Sequence, residues 1–250
     1  MHRFTRTELL LGKQAFARLT KSHVAVFGLG AVGGYAVEGL ARAGVGRLTL
    51  VDFDLIQPTN INRQILALES TLGQPKVEAA AARVADINPQ CRIKALNRFV
   101  DQDSAAEILD GRPDFVIDAI DSLNPKVQLL LASHRRGLRT FSSMGAALRT
   151  DPAQIRIGDI AETRCCPLAR RIRKRLKKEG IISGITCIYS TEAVDFDYQL
   201  PAGAEDTEDN GASEFERGRA RPTLGSLPTL TAIFGLMLAN EVIRQIRVRS

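Results

Sequence analysis

Residues 24–54 read VAVFGLGAVGGYAVEGLARAGVGRLTLVDFD. The short apolar run from Val24 to Gly28 predicts a first strand. Ala31 to Ala43 carries a helical pattern closed by Gly44 and Gly46. Arg47 to Asp52, apolar and β-branched, predicts a second strand. Between first strand and helix stand Gly28, Gly30 and Gly33, with Gly34 behind them. Glycines at that spacing allow a tight turn and let backbone N–H groups approach a phosphate at a helix N-terminus. Asp52 closes the second strand about 20 residues on, where an acid can hold both ribose hydroxyls. The alternative is a glycine-rich strand-to-helix turn that binds nothing.

The pattern continues outward from this unit. An alanine-rich helix is expected from Leu72 to Ile87, ending before Asn88-Pro89. A third strand follows at Arg92 to Val100 and a short helix at Ser104 to Leu109. Asp114 to Asp121, DFVIDAID, reads as a fourth strand, then a helix at 125–136 and a fifth strand at 139–147. Strands alternating with helices predict an α/β fold, a Rossmann-like, mostly parallel sheet with helices on both faces. After about residue 150 comes an extension of strands and helices: a strand in AQIRIGDI, a helix from Cys166 to Glu179 and a strand in GITCIYSTEAV. Residues 195–218 are rich in Gly, Asp and Glu, with six acids from Glu205 to Glu216, and predict a loop. An apolar helix after Pro228 closes the chain. No repeat or linker divides the sequence, so residues 1–250 are expected to form a single nucleotide-binding domain, with halves at about 1–150 and 151–250.

The totals narrow the class. The chain has 250 residues and is 44% hydrophobic, ordinary for a soluble globular protein. Without Trp and with only 5% aromatic residues, its core must be mostly aliphatic. The apolar stretch 224–243 is interrupted by Pro228, Thr229, Thr231, Asn240 and Glu241, and is expected to be a buried helix rather than a membrane span. Met1 to Lys21 hold no apolar run followed by a small-residue cleavage site, so a secretory signal is not expected. Cys91, Cys165, Cys166 and Cys187 form no CxxC pair, which argues against structural zinc and, with no export signal, predicts reduced thiols in a cytoplasm. The net charge of +6 suits a polyanionic partner.

A nicotinamide enzyme needs little further charge near the glycine turn, yet DFDLIQPTNINRQI supplies Asp52, Asp54, Asn60, Asn62, Arg63 and Gln64. Lys76 follows in GQPK, and Asp118 and Asp121 lie at the end of the fourth strand. Ligands of open α/β sheets bind at that end of the strands. Cations and carboxylates gathered there suit ATP with Mg²⁺: Arg63 and Lys76 for phosphate oxygens, and Asp121, with Asp54 as its partner, for the metal. When a carboxylate attacks an α-phosphate, such cations stabilise the departing pyrophosphate. Each residue also has a plainer reading: Arg63 as a surface charge, Lys76 as a first-turn helix residue, Asp121 as an N-cap.

The order GxGxxG, DFD, NRQ, GQPK, DAID resembles the E1-like adenylating enzymes, which include the ubiquitin-activating enzymes and the bacterial activators of sulphur-carrier proteins. The later motifs DPAQIRIGDIAET, PLARRIRKRL, CIYSTE and GSLPTLTAIFG are similar to the tRNA threonylcarbamoyladenosine dehydratase branch. The resemblance covers nearly the whole chain. It implies ATP-dependent adenylation of the carboxylate of threonylcarbamoyladenosine in tRNA, then ring closure with loss of AMP, by a homodimer. It implies that Gly28, Gly30 and Gly33 line the phosphates and Asp52 takes the ribose. It further implies that Asn62, Arg63 and Lys76 hold the triphosphate, with Asp54 and Gln64 beside them, that Asp121 holds Mg²⁺, and that Arg6 reaches across the dimer. Paired zinc cysteines, kept by many relatives with protein substrates, are missing. Cys166 stands where dehydratase relatives usually carry Asp before Pro-Leu-Ala.

Arg170 to Lys178, RRIRKRLKK, holds seven basic residues in nine: Arg170, Arg171, Arg173, Lys174, Arg175, Lys177 and Lys178. Leu168, Ile172 and Leu176 recur every fourth residue, so one face packs inward. The remaining surface is either a platform for an RNA phosphate backbone or a solvated helix paired with the acidic loop. Cys187 is read as a small buried apolar residue and Cys165 and Cys166 as candidate thiols at a helix N-terminus. The histidines, His2, His23 and His134, are assigned no chemistry. Three rival functions stand beside adenylation on tRNA: activation of a ubiquitin-like sulphur carrier with its sulphur-transfer partner, an NAD-dependent oxidoreductase, and a non-catalytic tRNA-binding protein.

Overall fold

The structure, a computed structural model, describes residues 2–194 and 224–248. The acidic stretch expected to form a loop at 195–218 lies outside the described residues. Two short helices, α1 (Thr5–Leu11) and α2 (Lys13–Leu19), precede the first βαβ unit. That unit is β1 (His23–Phe27), α3 (Gly33–Ala43) and β2 (Arg47–Asp52). Then come α4 (Lys76–Ile87), β3 (Arg92–Asn97), α5 (Gln102–Leu109), β4 (Phe115–Asp118), α6 (Leu123–Arg135) and β5 (Arg139–Ser143). The second half adds β6 (Ile155–Asp159), α7 (Pro167–Lys178), β7 (Thr186–Ser190) and α8 (Pro228–Val248).

The seven strands form one sheet in the order β3-β2-β1-β4-β5-β7-β6. Every pairing is parallel except β6 with β7. Because β7 pairs with β5, the two halves of the sequence share a single sheet. The order reverses between β1 and β4, which opens a crevice at their carboxyl ends.

All five residues of β1 are buried, as a strand covered on both faces requires. Val24 and Val26 pack with residues of α3, α4 and α8, while Ala25 and Phe27 pack with those of α5 and α6. A third cluster joins α6, α7 and β7 through Leu130, Ile172, Leu176 and Tyr189. The apolar C-terminal run is thus a core helix against α3. No helix among the described residues is long and apolar enough to cross a membrane.

Element boundaries differ from the sequence reading where backbone chemistry intervenes. The helix expected from Leu72 starts only at Lys76, because Gly73 is left-handed (φ 78) and Pro75 is extended (ψ 132). The fourth strand stops at Asp118, whose Oδ1 accepts the Ile120 N–H and turns the chain out of the sheet. The third and fifth strands likewise stop early, at Asn97 and Ser143.

Candidate active site

At Gly28 and Gly33 the glycine turn is packed too closely for side chains. Gly28 takes φ 84, and a Cβ on it would lie 2.8 Å from the Ala119 carbonyl oxygen. A Cβ on Gly33, the first residue of α3, would lie 1.7 Å from the Gly28 oxygen. At Gly28 and Gly33 the turn can therefore carry nothing but backbone. Gly30 lies over the amide of Gln64, 3.8 Å from a built Cβ to Nε2. Gln64 is buried, and its Oε1 has no hydrogen-bond partner among the described residues. A buried acceptor in that condition is costly unless a donor completes it.

Asp52, at the end of β2, fastens the turn. Its Oδ2 accepts the Leu29 N–H at 2.6 Å and its Oδ1 the Asp54 N–H at 2.8 Å. Burial pushes its carboxyl above the ordinary range, opposed by the Lys76 charge. Lys76, buried at the start of α4, donates from Nζ to Asp54 Oδ2 at 2.7 Å. The Asp54 side chain is half exposed, so the pair stands at the rim. Arg63 lies over its own loop, donating from Nη1 to Thr59 O (2.9 Å) and Asn62 Oδ1 (2.8 Å). Asn62 Nδ2 in turn reaches Ser226 O at 3.5 Å.

Across the switch point, Asp121 is exposed beyond β4. Ser122, not Asp121, occupies the N-cap position of α6, and no side-chain cap bond is made there. Arg6 lies elsewhere within the chain. Phe4, just before α1, packs against Gly44 at the C-terminal end of α3, about 16 Å of helix away from the glycine turn. Its own chain does not bring Arg6 to the crevice.

Two groups at this edge escaped the sequence reading. Lys126, wholly buried on α6, donates to Asp118 Oδ2 at 2.8 Å and to Ile120 O at 2.9 Å. Ser142 Oγ donates to the same Asp118 oxygen at 2.6 Å. Burial raises the Asp118 carboxyl against the pull of Lys126. This cluster ties the end of β4 to β5 and α6 beside the crevice. The second group is Arg149, buried beyond β5 with Nε and Nη1 unpartnered among the described residues. Nothing in its sequence neighbourhood distinguishes it from a surface arginine.

On α7, Ala169, Ile172 and Leu176 are buried. Arg173 donates to Thr163 and Arg175 to Asn124 Oδ1, so these two tie the helix to its neighbours. Arg171 is half-buried, whereas Arg170, Lys174, Lys177 and Lys178 are exposed. Arg170, Lys174 and Lys177 follow i, i+4, i+7 spacing and share one face. Cys166 is the N-cap of α7, its Sγ accepting the Ala169 N–H at 3.5 Å. Cys187 is buried and its thiol is pushed up by burial, as expected of a small apolar residue. Cys165 is exposed.

The chain is 40% identical over 243 residues to the tRNA threonylcarbamoyladenosine dehydratase of Bacillus subtilis, covering 97% of this chain and 94% of that protein. Identity is 34% over 190 residues, 75% of this chain and 72% of that protein, with the molybdopterin-synthase adenylyltransferase of Salmonella typhimurium. Among solved structures, the Escherichia coli tRNA N6-threonylcarbamoyladenosine dehydratase in complex with ATP superimposes with a TM-score of 0.83 at 34% identity, covering 98% of this chain and 93% of that one. The family model that matches, over residues 4–249, is described as the ThiF family.

Proposed function

The chain belongs to the ThiF family, and on that footing we propose that it adenylates the carboxylate of threonylcarbamoyladenosine in tRNA with ATP and then closes a ring with loss of AMP. The observation that carries the reading is the glycine turn fastened by Asp52 and flanked by Lys76, a cradle that leaves no room for a Cβ at Gly28 or Gly33. That geometry fits a nucleotide: backbone N–H groups for phosphates, and Asp52 for the ribose. The orphaned Gln64 Oε1 supplies an acceptor for a nucleotide hydroxyl or amine.

Asn62, Arg63 and Lys76 answer the triphosphate. The Lys76 ammonium spends one donor on Asp54 and keeps two. Mg²⁺ takes one or two carboxylates, phosphate oxygens and water, and the exposed Asp121 at the end of β4 is a ligand of that kind. Bound there with the nucleotide, the ion would neutralise charge on the leaving pyrophosphate. In the first step a carboxylate oxygen bonds to the α-phosphorus and the bond to pyrophosphate breaks. In the second an internal nucleophile displaces AMP, so the product is the substrate less one water. Arg6, remote from the crevice of its own chain, serves a second copy in a homodimer. The exposed face of α7, with Arg170, Lys174 and Lys177, meets tRNA phosphates. Free cysteines and a tRNA substrate support reading the reaction as cytoplasmic.

Incubation with threonylcarbamoyl-modified tRNA and ATP is expected to release pyrophosphate and AMP and to yield a nucleoside lighter by one water. Absence of both would refute the proposal. The likeness to the Salmonella adenylyltransferase keeps a second reading in view, activation of a small sulphur-carrier protein. Pyrophosphate exchange triggered by a diglycine-ended carrier and not by tRNA would establish that reading instead.

A further inference from the structure

Arg149 is the largest fully buried side chain among the described residues, 2% exposed. Its Nη2 donates to the Cys165 carbonyl at 2.5 Å. Its Nε and Nη1, which carry three of the five guanidinium N–H donors, have no partner among the described residues. A buried cation with open donors is unfavourable unless an anion completes it. The Glu192 carboxylate, close enough to feel the Arg149 charge, is engaged elsewhere. It accepts from Asp151 N at 3.0 Å and from Thr150 N and Oγ1 at 2.9 and 2.8 Å. Those backbone N–H groups, and after them the Arg149 charge, hold the Glu192 carboxyl below its ordinary value.

The surroundings are strained and placed at the crevice. Leu148 (φ 61) precedes Arg149, and Cys165 (φ 56) supplies the carbonyl it grips, both left-handed without being glycine. Such strain collects at functional sites. Cys165 and Cys166 open α7, so the guanidinium is fastened at the N-terminus of a 12-residue helix. A Cβ on Gly145 would lie 3.5 Å from Cys166 Sγ, which sets that helix end against the exit of β5, next to β4. One short segment joins the two sides of the crevice: Leu148 N–H donates to Gly225 O at 2.9 Å, and Asn62 reaches Ser226 O at 3.5 Å. Arg149 therefore stands on the β5 side of the crevice, and residues 225 and 226 link its segment to that of Asn62.

We propose that Arg149 is the receptor for the substrate carboxylate that is adenylated. This rests on the functional reading above and names the group that selects the substrate. The phosphates of the nucleotide are met on the β1–β2 side. RNA backbone phosphates meet exposed cations, which Arg149 is not. A carboxylate at the tip of a modified nucleoside is small enough to enter a buried site once the 225–226 segment shifts. That segment is held to the Arg149 side by one good hydrogen bond and to Asn62 by one at the limit of length. Attack of a carboxylate on a polyphosphate sets anion against anion. A guanidinium on one carboxylate oxygen offsets that repulsion and aims the other oxygen at the α-phosphorus.

The test compares wild type with Arg149→Met and Arg149→Lys on tRNA with and without the threonylcarbamoyl group. Wild type should bind the modified tRNA about tenfold more tightly or better. Arg149→Met should bind both with the affinity wild type shows for unmodified tRNA, and should lose modified-tRNA-dependent pyrophosphate exchange. Its ATP affinity should be unchanged and its Tm equal or higher, since an open buried charge is gone. Arg149→Lys should recover part of the discrimination. Retained discrimination and exchange in Arg149→Met would overturn the proposal alone. So would loss of ATP binding with a lowered Tm in both variants, the signature of a structural arginine. Wild type that neither discriminates nor exchanges would sink the functional reading and this proposal with it.

Discussion

The wholly buried pair Asp118–Lys126 shows how one residue can govern the crevice without touching a ligand. Removing one member of a buried pair leaves an uncompensated charge, which costs about 3–5 kcal/mol. Lys126→Met should lower unfolding stability by that order in urea titration. Adding Asp118→Asn should restore much of it, because the stranded carboxylate is removed. Simple additivity of the two losses would mean the pair is not coupled. Asp121 stands at the opposite extreme, exposed and not the cap of α6. Asp121→Ala is expected to leave Tm within about 2 °C, as a surface substitution within about ±0.5 kcal/mol does. Turnover, if Asp121 ligates the metal, should fall by about a hundredfold or more. Normal turnover would remove it from the metal site.

Elements carry the next level of consequence. α8 packs so tightly on α3 that a Cβ on Gly235 would lie 2.2 Å from Val32 O, at the N-cap of α3. Gly235→Ala must push α8 away or tilt the helix that carries the glycine turn. The expected cost is about 1–3 kcal/mol, together with weaker ATP binding. Full ATP affinity at reduced Tm would show that the turn is insulated from α8. For α7 the structure refines which cations to test. Arg173 and Arg175 hold the helix in place, so replacing them confounds RNA binding with packing. Replacing Arg170, Lys174 and Lys177 by Ala should flatten the slope of log affinity against log salt by about one unit for each phosphate no longer neutralised. ATP affinity should not change, and an unaltered slope would separate α7 from the RNA surface. At this level the sequence was readable wherever one period dominated. The β1–α3–β2 unit and its acid follow the sequence because strand, turn and helix signals agree over residues 24–54. Boundaries moved where a single residue overrode the period, as Gly73 and Pro75 do before α4. Arg149 and Lys126 stayed hidden because burial of a cation is decided by tertiary packing and leaves no periodic trace.

For the whole molecule, charge and symmetry set the expectations. His23 is buried on β1, where desolvation first, then the Arg47 charge, lower its pKa to about 4 from 6.5; Asp114 opposes and Lys94 adds to the lowering. A depressed histidine is neutral in the folded protein while the unfolded chain protonates. Stability is therefore full above about pH 6.5 and lost as pH falls towards about 4. Urea unfolding should show a loss on the order of 1–2 kcal/mol between about pH 7 and pH 5, and His23→Gln should shrink it. An unchanged pH dependence in that variant would assign the loss to other groups. In a homodimer that completes each crevice with Arg6 from the other copy, mixing Arg6→Ala with Asp121→Ala should restore activity that neither variant has alone. No restoration after subunit exchange would leave Arg6 outside the chemistry. The reaction itself is settled by following oxygen. With the substrate carboxylate labelled in heavy oxygen, adenylation transfers one label to the phosphate of AMP when the ring closes, and mass spectrometry of AMP should find it there. Label found only in pyrophosphate, inorganic phosphate or water, with AMP unlabelled, would contradict attack of the carboxylate on the α-phosphorus.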